Sequence, residues 1–216
     1  MKILIMGPPG AGKGSQSERV VKDFDLTNIS TGEMFREAFR QKTPLGLEAM
    51  RFIQEGNLVS DELTNAMVKE RLSRSDAERC FLLDGYPRTV NQAKALDDML
   101  AEMGSKLTAV IKIIVPHSRI IDRMSGRRVC EKCGATYHLK FKPPKQDNTC
   151  DVCSGALYQR TDDKEDSVMN RLRIYETKTR PLTHYYLQKG ILHKVNGDQG
   201  FAEVYHDLHT ILKGVK

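Results

Sequence analysis

Lys13 is the first residue of this chain with an evident chemical task. It closes the run Gly7-Pro8-Pro9-Gly10-Ala11-Gly12-Lys13, which follows directly on the apolar stretch Ile3-Leu4-Ile5-Met6. A Gly-x4-Gly-Lys loop after a strand lines up backbone N–H groups around phosphate oxygens. Lys13 is placed to reach the terminal phosphates, and a helix expected from about Ser15 turns its positive end toward them. One position departs from the common form: Gly14 stands where a magnesium-binding Ser or Thr usually sits. The loop says that a nucleotide phosphate binds here, and leaves the reaction open.

A second constellation is built from sulfur. Cys130-x2-Cys133 and Cys150-x2-Cys153 are two short pairs separated by residues 134–149. This spacing suits a closed four-thiolate zinc site, with two sulfurs on each tight turn and no room for a catalytic water. Disulfides and a redox dithiol are the competing readings; a redox pair has no use for a matching second pair. His138 lies nearby but is not needed as a ligand. The metal replaces a core that a segment of about 35–40 residues can scarcely build alone. Cys80, in the apolar run Cys80-Phe81-Leu82-Leu83, reads as a small buried hydrophobe.

The third set is cationic. Lys and Arg number 34 against 28 Asp and Glu, a net charge of +6. Such an excess serves either a nucleic-acid footprint or a cleft that gathers arginines around phosphates. Arg36, Arg88, Arg123, Arg127, Arg160 and Arg171 are scattered along the chain, as a folded cleft requires. No basic run with interleaved aromatics argues for a single-stranded nucleic-acid platform. Asp84 ends an apolar run, where a carboxylate that organises magnesium beside a phosphate loop belongs.

The elements that must position these groups follow from periodicity. Short apolar runs at Lys2–Met6, Asn28-Ile29, Cys80–Asp84, Ala109–Val115 and Ile191–Val195 read as strands, with helical stretches between them. Ser60–Leu72 is one such helix, with Ser60 as N-cap, Asp61 and Glu62 in its first turn, and Leu63, Met67 and Leu72 near one face. Strands alternating with helices indicate a parallel sheet covered on both sides, with ligands beyond the carboxyl ends of its strands. Two stretches break the rhythm. Residues 30–59 open on Ser30-Thr31-Gly32-Glu33, a capping-box pattern. Residues 126–163 hold the cysteines and a β-like run, Thr136–Phe141. The chain is long enough for one core domain carrying both as insertions. The longest apolar runs fall far short of a membrane span, and the N-terminal run enters the phosphate loop, so a cytoplasmic protein without a signal peptide is expected.

Taken in order, these residues resemble the adenylate kinase family, in the form with a long, zinc-bearing lid. The resemblance covers essentially the whole chain. It rests on Gly7–Gln16, Ser30-Thr31-Gly32 with Arg36, Phe81–Arg88, Gln92, Asp122-Arg123, Gly126-Arg127-Arg128, Tyr158–Asp163 and Arg171-Leu172. It implies an α/β fold of the P-loop NTPase type: a parallel five-stranded sheet with helices on both faces and two inserted subdomains. Residues 1–29, 60–125 and 164–216 would form the core, 30–59 an AMP-binding subdomain and 126–163 the lid. The implied reaction is phosphoryl transfer from ATP to AMP, giving two ADP, with magnesium beside the structural zinc.

The resemblance also distributes roles. Gly10, Ala11, Gly12, Lys13, Gly14 and Ser15 hold the ATP phosphates. Arg123, Arg127, Thr136, Tyr137 and Gln199 look like the remaining ATP contacts. Thr31, Arg36, the Gly85-Tyr86-Pro87-Arg88 turn and Gln92 look like the AMP site, with backbone contacts from Asn57, Leu58 and Val59. Arg160 and Arg171 reach the phosphates on lid closure, and Asp162 and Asp163 orient lid arginines. Lys13, Asp84, Arg88, Arg123, Arg160 and Arg171 are the expected catalytic set, and Cys130, Cys133, Cys150 and Cys153 the metal ligands. Family precedent is a monomer, with neither nucleic acid nor membrane as partner. The chemistry agrees: phosphoryl transfer spreads negative charge and needs cations on several sides, whereas an AMP phosphate oxygen needs no base to attack.

Overall fold

The computed structural model describes residues 1–215. In chain order the elements begin β1 (Lys2–Met6), α1 (Lys13–Phe24), β2 (Thr27–Ser30), α2 (Thr31–Arg40), α3 (Pro44–Gln54) and α4 (Asp61–Leu72). There follow α5 (Ser75–Glu78), β3 (Phe81–Asp84), α6 (Val90–Glu102), β4 (Ala109–Ile114) and α7 (His117–Ser125). A small antiparallel unit comes next: β5 (Arg127–Cys130), β6 (Thr136–His138) and β7 (Leu157–Tyr158). The chain ends with α8 (Glu165–Ile174), α9 (Leu182–Gln188), β8 (Leu192–Asn196) and α10 (Phe201–Gly214).

The main sheet has five strands in the order β2-β3-β1-β4-β8, all parallel. This is the doubly covered α/β sheet expected from the alternation of strands and helices. Successive side chains of a strand face opposite sides, and β1 shows the consequence. Ile3 and Ile5 join a cluster with Val20 of α1, Ile120 of α7, Val168 of α8 and Leu208 of α10. Leu4 and Met6 join another with Val68 of α4, Leu96 of α6 and Tyr186 of α9. The central strand therefore holds both helical layers. Leu4 is 0% exposed, so Leu4→Ala should cost about 2–5 kcal/mol by removing apolar contact and leaving a cavity. Urea unfolding of the two proteins measures it; a loss under about 0.5 kcal/mol would show that the layer repacks freely.

Several local expectations are corrected. Strand β3 starts at Phe81, and Cys80 is only half-buried, its thiol 3.1 Å from the Asp25 carbonyl, because it lies at the turn entering the sheet. Ser60 caps α4 as expected, its hydroxyl accepting from the Leu63 N–H at 3.3 Å. The stripe that α4 buries is Thr64, Val68 and Leu72. Leu63 and Met67 instead pack on a separate small core of Phe35, Ala49 and Val59, because α4 lies between the sheet and the α2–α3 pair. Ser30 occupies the N-cap of α2 without a side-chain cap bond. Glu33 does not reach back to complete a capping box; it pairs with Arg36 and Arg160, whose charges outcompete a neutral N–H.

The three-stranded sheet runs β6-β5-β7. Its interior is Cys130, Tyr137, Cys150 and Leu157, far too little for a conventional core. The expected run Thr136–Phe141 shortens to Thr136–His138, since His138 and Lys142 close a tight turn through two backbone hydrogen bonds. Among the described residues no helix is long and apolar enough to cross a membrane.

Candidate active site

The phosphate loop leaves the carboxyl end of β1 and turns into α1. Gly10 and Gly12 carry φ angles of 73° and 90°, a region where a β-carbon is strained. Helix α1 begins at Lys13 rather than Ser15, and its first turn holds no acidic residue. Its free N–H groups and positive end are thus left for an anion. Lys13 Nζ donates to the carbonyls of Gly7 and Pro8, both at 2.9 Å. Burial lowers the ammonium from 10.5 to about 8, against the opposing pull of Asp84.

Asp84 ends β3, in register with Ile5 of β1. Burial pushes its carboxyl up, while Lys13, Arg88 and Arg36 pull it down. A β-carbon added to Gly14 would lie 4.0 Å from Asp84 Oδ2. The carboxylate therefore faces the place where other phosphate loops carry their hydroxyl. A cation brought in with phosphate would find this oxygen at hand.

Beyond the strand ends, Thr31, Arg36, Asn57, Leu58, Val59, Gly85, Arg88, Gln92 and Arg171 line one cleft. Lys13, Tyr86 and Pro87 line an adjoining cleft, which shares Gly85, Arg88 and Arg171 with the first. Residues from six separate parts of the chain thus meet around one space. Gly85 anchors the wall: its carbonyl accepts from Thr31 Oγ1 at 3.0 Å and from Arg88 Nε at 2.8 Å. Tyr86 is a structural floor, fully buried, its hydroxyl donating to Asn65 and to the Gln92 carbonyl.

The arginines are crowded and short of counter-charge. Burial among like charges lowers Arg88 and Arg160, and brings Arg171 down to about 10. Arg171 donates to Asp162 Oδ2 at 2.6 Å and Arg127 donates to Asp163 Oδ2 at 2.7 Å. Burial alone would lower Arg127, but Asp163 outweighs it and raises the guanidinium. Asp162 is likewise held low by Arg171 and Arg127 against the cost of its burial. The Nε atoms of Arg36 and Arg160 are buried with no partner. Unmet cationic donors beside a cleft call for a polyanion.

Arg123, Arg127, Arg160, Thr136, Tyr137 and Gln199 line neither cleft. Arg160 instead reaches Glu33 at 3.2 Å, Arg123 donates to the Gly197 carbonyl at 2.8 Å, and Gln199 to Asp207 at 2.7 Å. The Tyr137 side chain turns inward, its hydroxyl 3.4 Å from Cys150 Sγ and accepting from the Asp151 N–H at 2.7 Å. Its backbone pairs with Arg128 in the β5–β6 ladder. Sequence reasoning passed over Glu33, which joins Arg36 to Arg160, and Asp61, which holds Gln92 and Thr89. Both read simply as acids in a helix first turn.

The four cysteines converge as their spacing suggested. All four Sγ atoms lie within 4.8 Å of one another, with Cys130–Cys153 at 3.5 Å and Cys133–Cys150 at 3.6 Å. These separations are far too long for disulfides. A tetrahedron with zinc–sulfur bonds of about 2.3 Å has edges of about 3.8 Å, so the cage fits that ion. A β-carbon on Gly155 would lie 3.0 Å from Cys130 Sγ and 3.3 Å from Cys153 Sγ, so glycine lets the chain pass close to the sulfurs. Zinc in this cage would have four thiolates and no open position.

Comparison with known proteins agrees with this geometry. Residues 5–191 match the family model described as adenylate kinase. The adenylate kinase of Carboxydothermus hydrogenoformans is 54% identical over 213 residues, 99% of this chain and all of that protein. Those of Bacillus subtilis and Archaeoglobus fulgidus are 50% and 48% identical over 216 residues, with both chains fully covered.

Proposed function

The chain belongs to the adenylate kinase family and catalyses reversible phosphoryl transfer from ATP to AMP, giving two ADP; from that premise we propose how its residues divide the work. Residues 1–29, 60–125 and 164–216 are the core, 30–59 the AMP-binding subdomain and 126–163 a lid over ATP. Gly10–Ser15 and the amino end of α1 bind the ATP phosphates, with Lys13 on the terminal ones. Arg123, Arg127, Thr136, Tyr137 and Gln199 complete the ATP site. Arg36 and Arg88 take the AMP phosphate, while Thr31, Gly85, Gln92 and the Asn57–Val59 backbone surround its nucleoside.

An AMP phosphate oxygen attacks the γ-phosphorus of ATP, and the bond from that phosphorus to the β–γ bridging oxygen breaks. The attacking oxygen is already anionic, so no side chain has to remove a proton. Lys13, Arg88, Arg123, Arg160 and Arg171 instead neutralise the charge that spreads over the transferred group. Mg2+, which the family implies with ATP, supplies further charge neutralisation between the phosphates. Asp84 would help to hold it, since Gly14 offers no hydroxyl. The lid excludes water, the competing acceptor for the phosphoryl group. Cys130, Cys133, Cys150 and Cys153 would hold zinc, which would stiffen that lid and take no part in the transfer. The enzyme works as a cytoplasmic monomer with small-molecule partners.

The observation that carries this reading is the meeting of Lys13, Arg88 and Arg171 on adjoining clefts, with unpartnered Nε donors on Arg36 and Arg160. Arg36→Ala should raise the KM for AMP by about tenfold or more, the value of a charge-assisted hydrogen bond, with the KM for ATP unchanged. Steady-state kinetics with each substrate varied in turn measures both. A rise confined to ATP would move Arg36 to the donor side and break the assignment.

A further inference from the structure

Gln92 lines the AMP-side cleft and is 2% exposed. A side-chain amide has two N–H donors on one end and two acceptor lone pairs on the other. Here each end already has one partner. Nε2 donates to Asp61 Oδ1 at 2.8 Å, and Oε1 accepts from the Arg88 backbone N–H at 2.7 Å. An ionised carboxylate only accepts and a backbone N–H only donates, so this pair of neighbours permits one of the two amide orientations. The second carboxylate oxygen of Asp61 accepts from Thr89 Oγ1 at 2.9 Å. Thr89 in turn caps α6 by accepting from the Gln92 N–H at 3.1 Å. Asp61 is thereby fixed at both oxygens, on the first turn of a different helix.

Orientation matters because the two purine classes are mirror images to an amide. Adenine presents acceptor N1 beside the donor 6-amino group. A 6-oxopurine presents donor N1–H beside acceptor O6. Turning the amide over exchanges its remaining N–H and lone pair, and so exchanges which purine it matches. We infer that Asp61 is a positioning residue for base specificity: together with the Arg88 N–H it locks the Gln92 amide in the single orientation complementary to adenine, and so excludes 6-oxopurine monophosphates. This rests on the reading of Gln92 as a base contact. Asp61 touches no phosphate and leaves the chemical step alone.

The test compares kcat/KM for AMP with that for inosine monophosphate, an isostere with the reversed edge. Asp61→Ala removes the acceptor, and the AMP preference should fall about tenfold, as when a buried polar group loses its partner. The kcat with AMP should stay within about threefold, the loss lying in KM. Asp61→Asn keeps one oxygen able to accept from Gln92 and should restore part of the preference. Thr89→Val removes the helix cap and the bond to Asp61 Oδ2 but leaves the bond from Gln92 Nε2 to Asp61 Oδ1, and should keep most of the wild-type ratio. Equal losses in Asp61→Ala and Thr89→Val would reduce Asp61 to a structural role, and an unchanged ratio in Asp61→Ala would overturn the lock outright. Gln92→Ala separates the two layers: if it leaves the ratio intact, the base contact itself is wrong, whereas a collapsed ratio there beside an intact one in Asp61→Ala condemns only the lock. Should Asp61→Ala fail to fold, side-chain amide exchange in the wild-type protein decides. One Gln92 N–H should exchange slowly and the other fast without AMP, and equal exchange would refute an ordered amide.

Discussion

Lys13→Met should lower kcat/KM for phosphoryl transfer by about 10³-fold, the scale on which one preorganised donor at a developing charge is valued. Lys13 leaves the loop where α1 begins, held by the Gly7 and Pro8 carbonyls, so its ammonium is aimed before nucleotide arrives. That preparation is costly in the free protein, because burial has brought the group down to about 8. Methionine keeps the length of the side chain and removes the buried charge. The melting temperature of the variant should therefore equal or exceed the parent's. The sign of the pH effect follows from the same shift. A lysine with a lowered pKa is neutral in a growing fraction of free protein as pH rises through 8. ATP phosphates favour the charged form, so nucleotide binding near pH 8.5–9 must take up a proton, and affinity should fall as pH rises there. Calorimetry in buffers of different ionisation enthalpy reads this uptake directly. Proton uptake that persists unchanged in Lys13→Met would assign it to another group. Activity within tenfold of the parent would remove Lys13 from the catalytic set.

Loss of the metal should have the second largest effect, and it should fall on stability. The small sheet encloses only Cys130, Tyr137, Cys150 and Leu157, so its fold depends on what binds the four sulfurs. Structural zinc in small domains binds with roughly 10–16 kcal/mol of apparent free energy, much of it folding free energy. Cys150→Ser, or the parent after exhaustive chelation, should show early protease cleavage within residues 126–163 and a melting transition lowered by about 10 °C or more. Turnover at low temperature should persist, because the cysteines lie apart from both clefts. Unproductive ATP hydrolysis should rise relative to AMP phosphorylation, since a loosened lid admits water. Metal analysis should find one zinc per chain. Protein purified without chelator that contains no metal, yet resists protease in 126–163, would show that the sulfurs pack without an ion.

Much of this molecule is legible along the chain because its instructions are local. A phosphate loop needs a handful of consecutive residues in set conformations, so Gly10, Gly12 and Lys13 disclose it by type and spacing alone. Two Cys-x-x-Cys turns disclose a sulfur cage for the same reason, and five apolar runs disclose five strands. Errors gathered where two elements compete for one residue. Glu33 has the spacing of a capping-box partner for Ser30, but two arginines take its carboxylate. Periodicity puts Leu63 and Met67 on the stripe of Leu72, but α4 serves two cores at once. Local periodicity carries no information about how many neighbours a helix will have.

Residue order alone is enough to mark a phosphate loop after the first strand, to match the four cysteines to a thiophilic metal, and to make the sheet parallel. Which side chains face one another is set by packing. Strand register puts Asp84 beside Gly14, so the loop's missing hydroxyl is met by a carboxylate seventy residues away. Helix packing brings Asp61 to Gln92, and sheet pairing turns the Tyr137 side chain to sulfur and away from solvent. The physical reason is one of range. Backbone conformation and ligand spacing are settled among near neighbours, whereas the partner of a buried polar group is whatever long-range packing delivers to it.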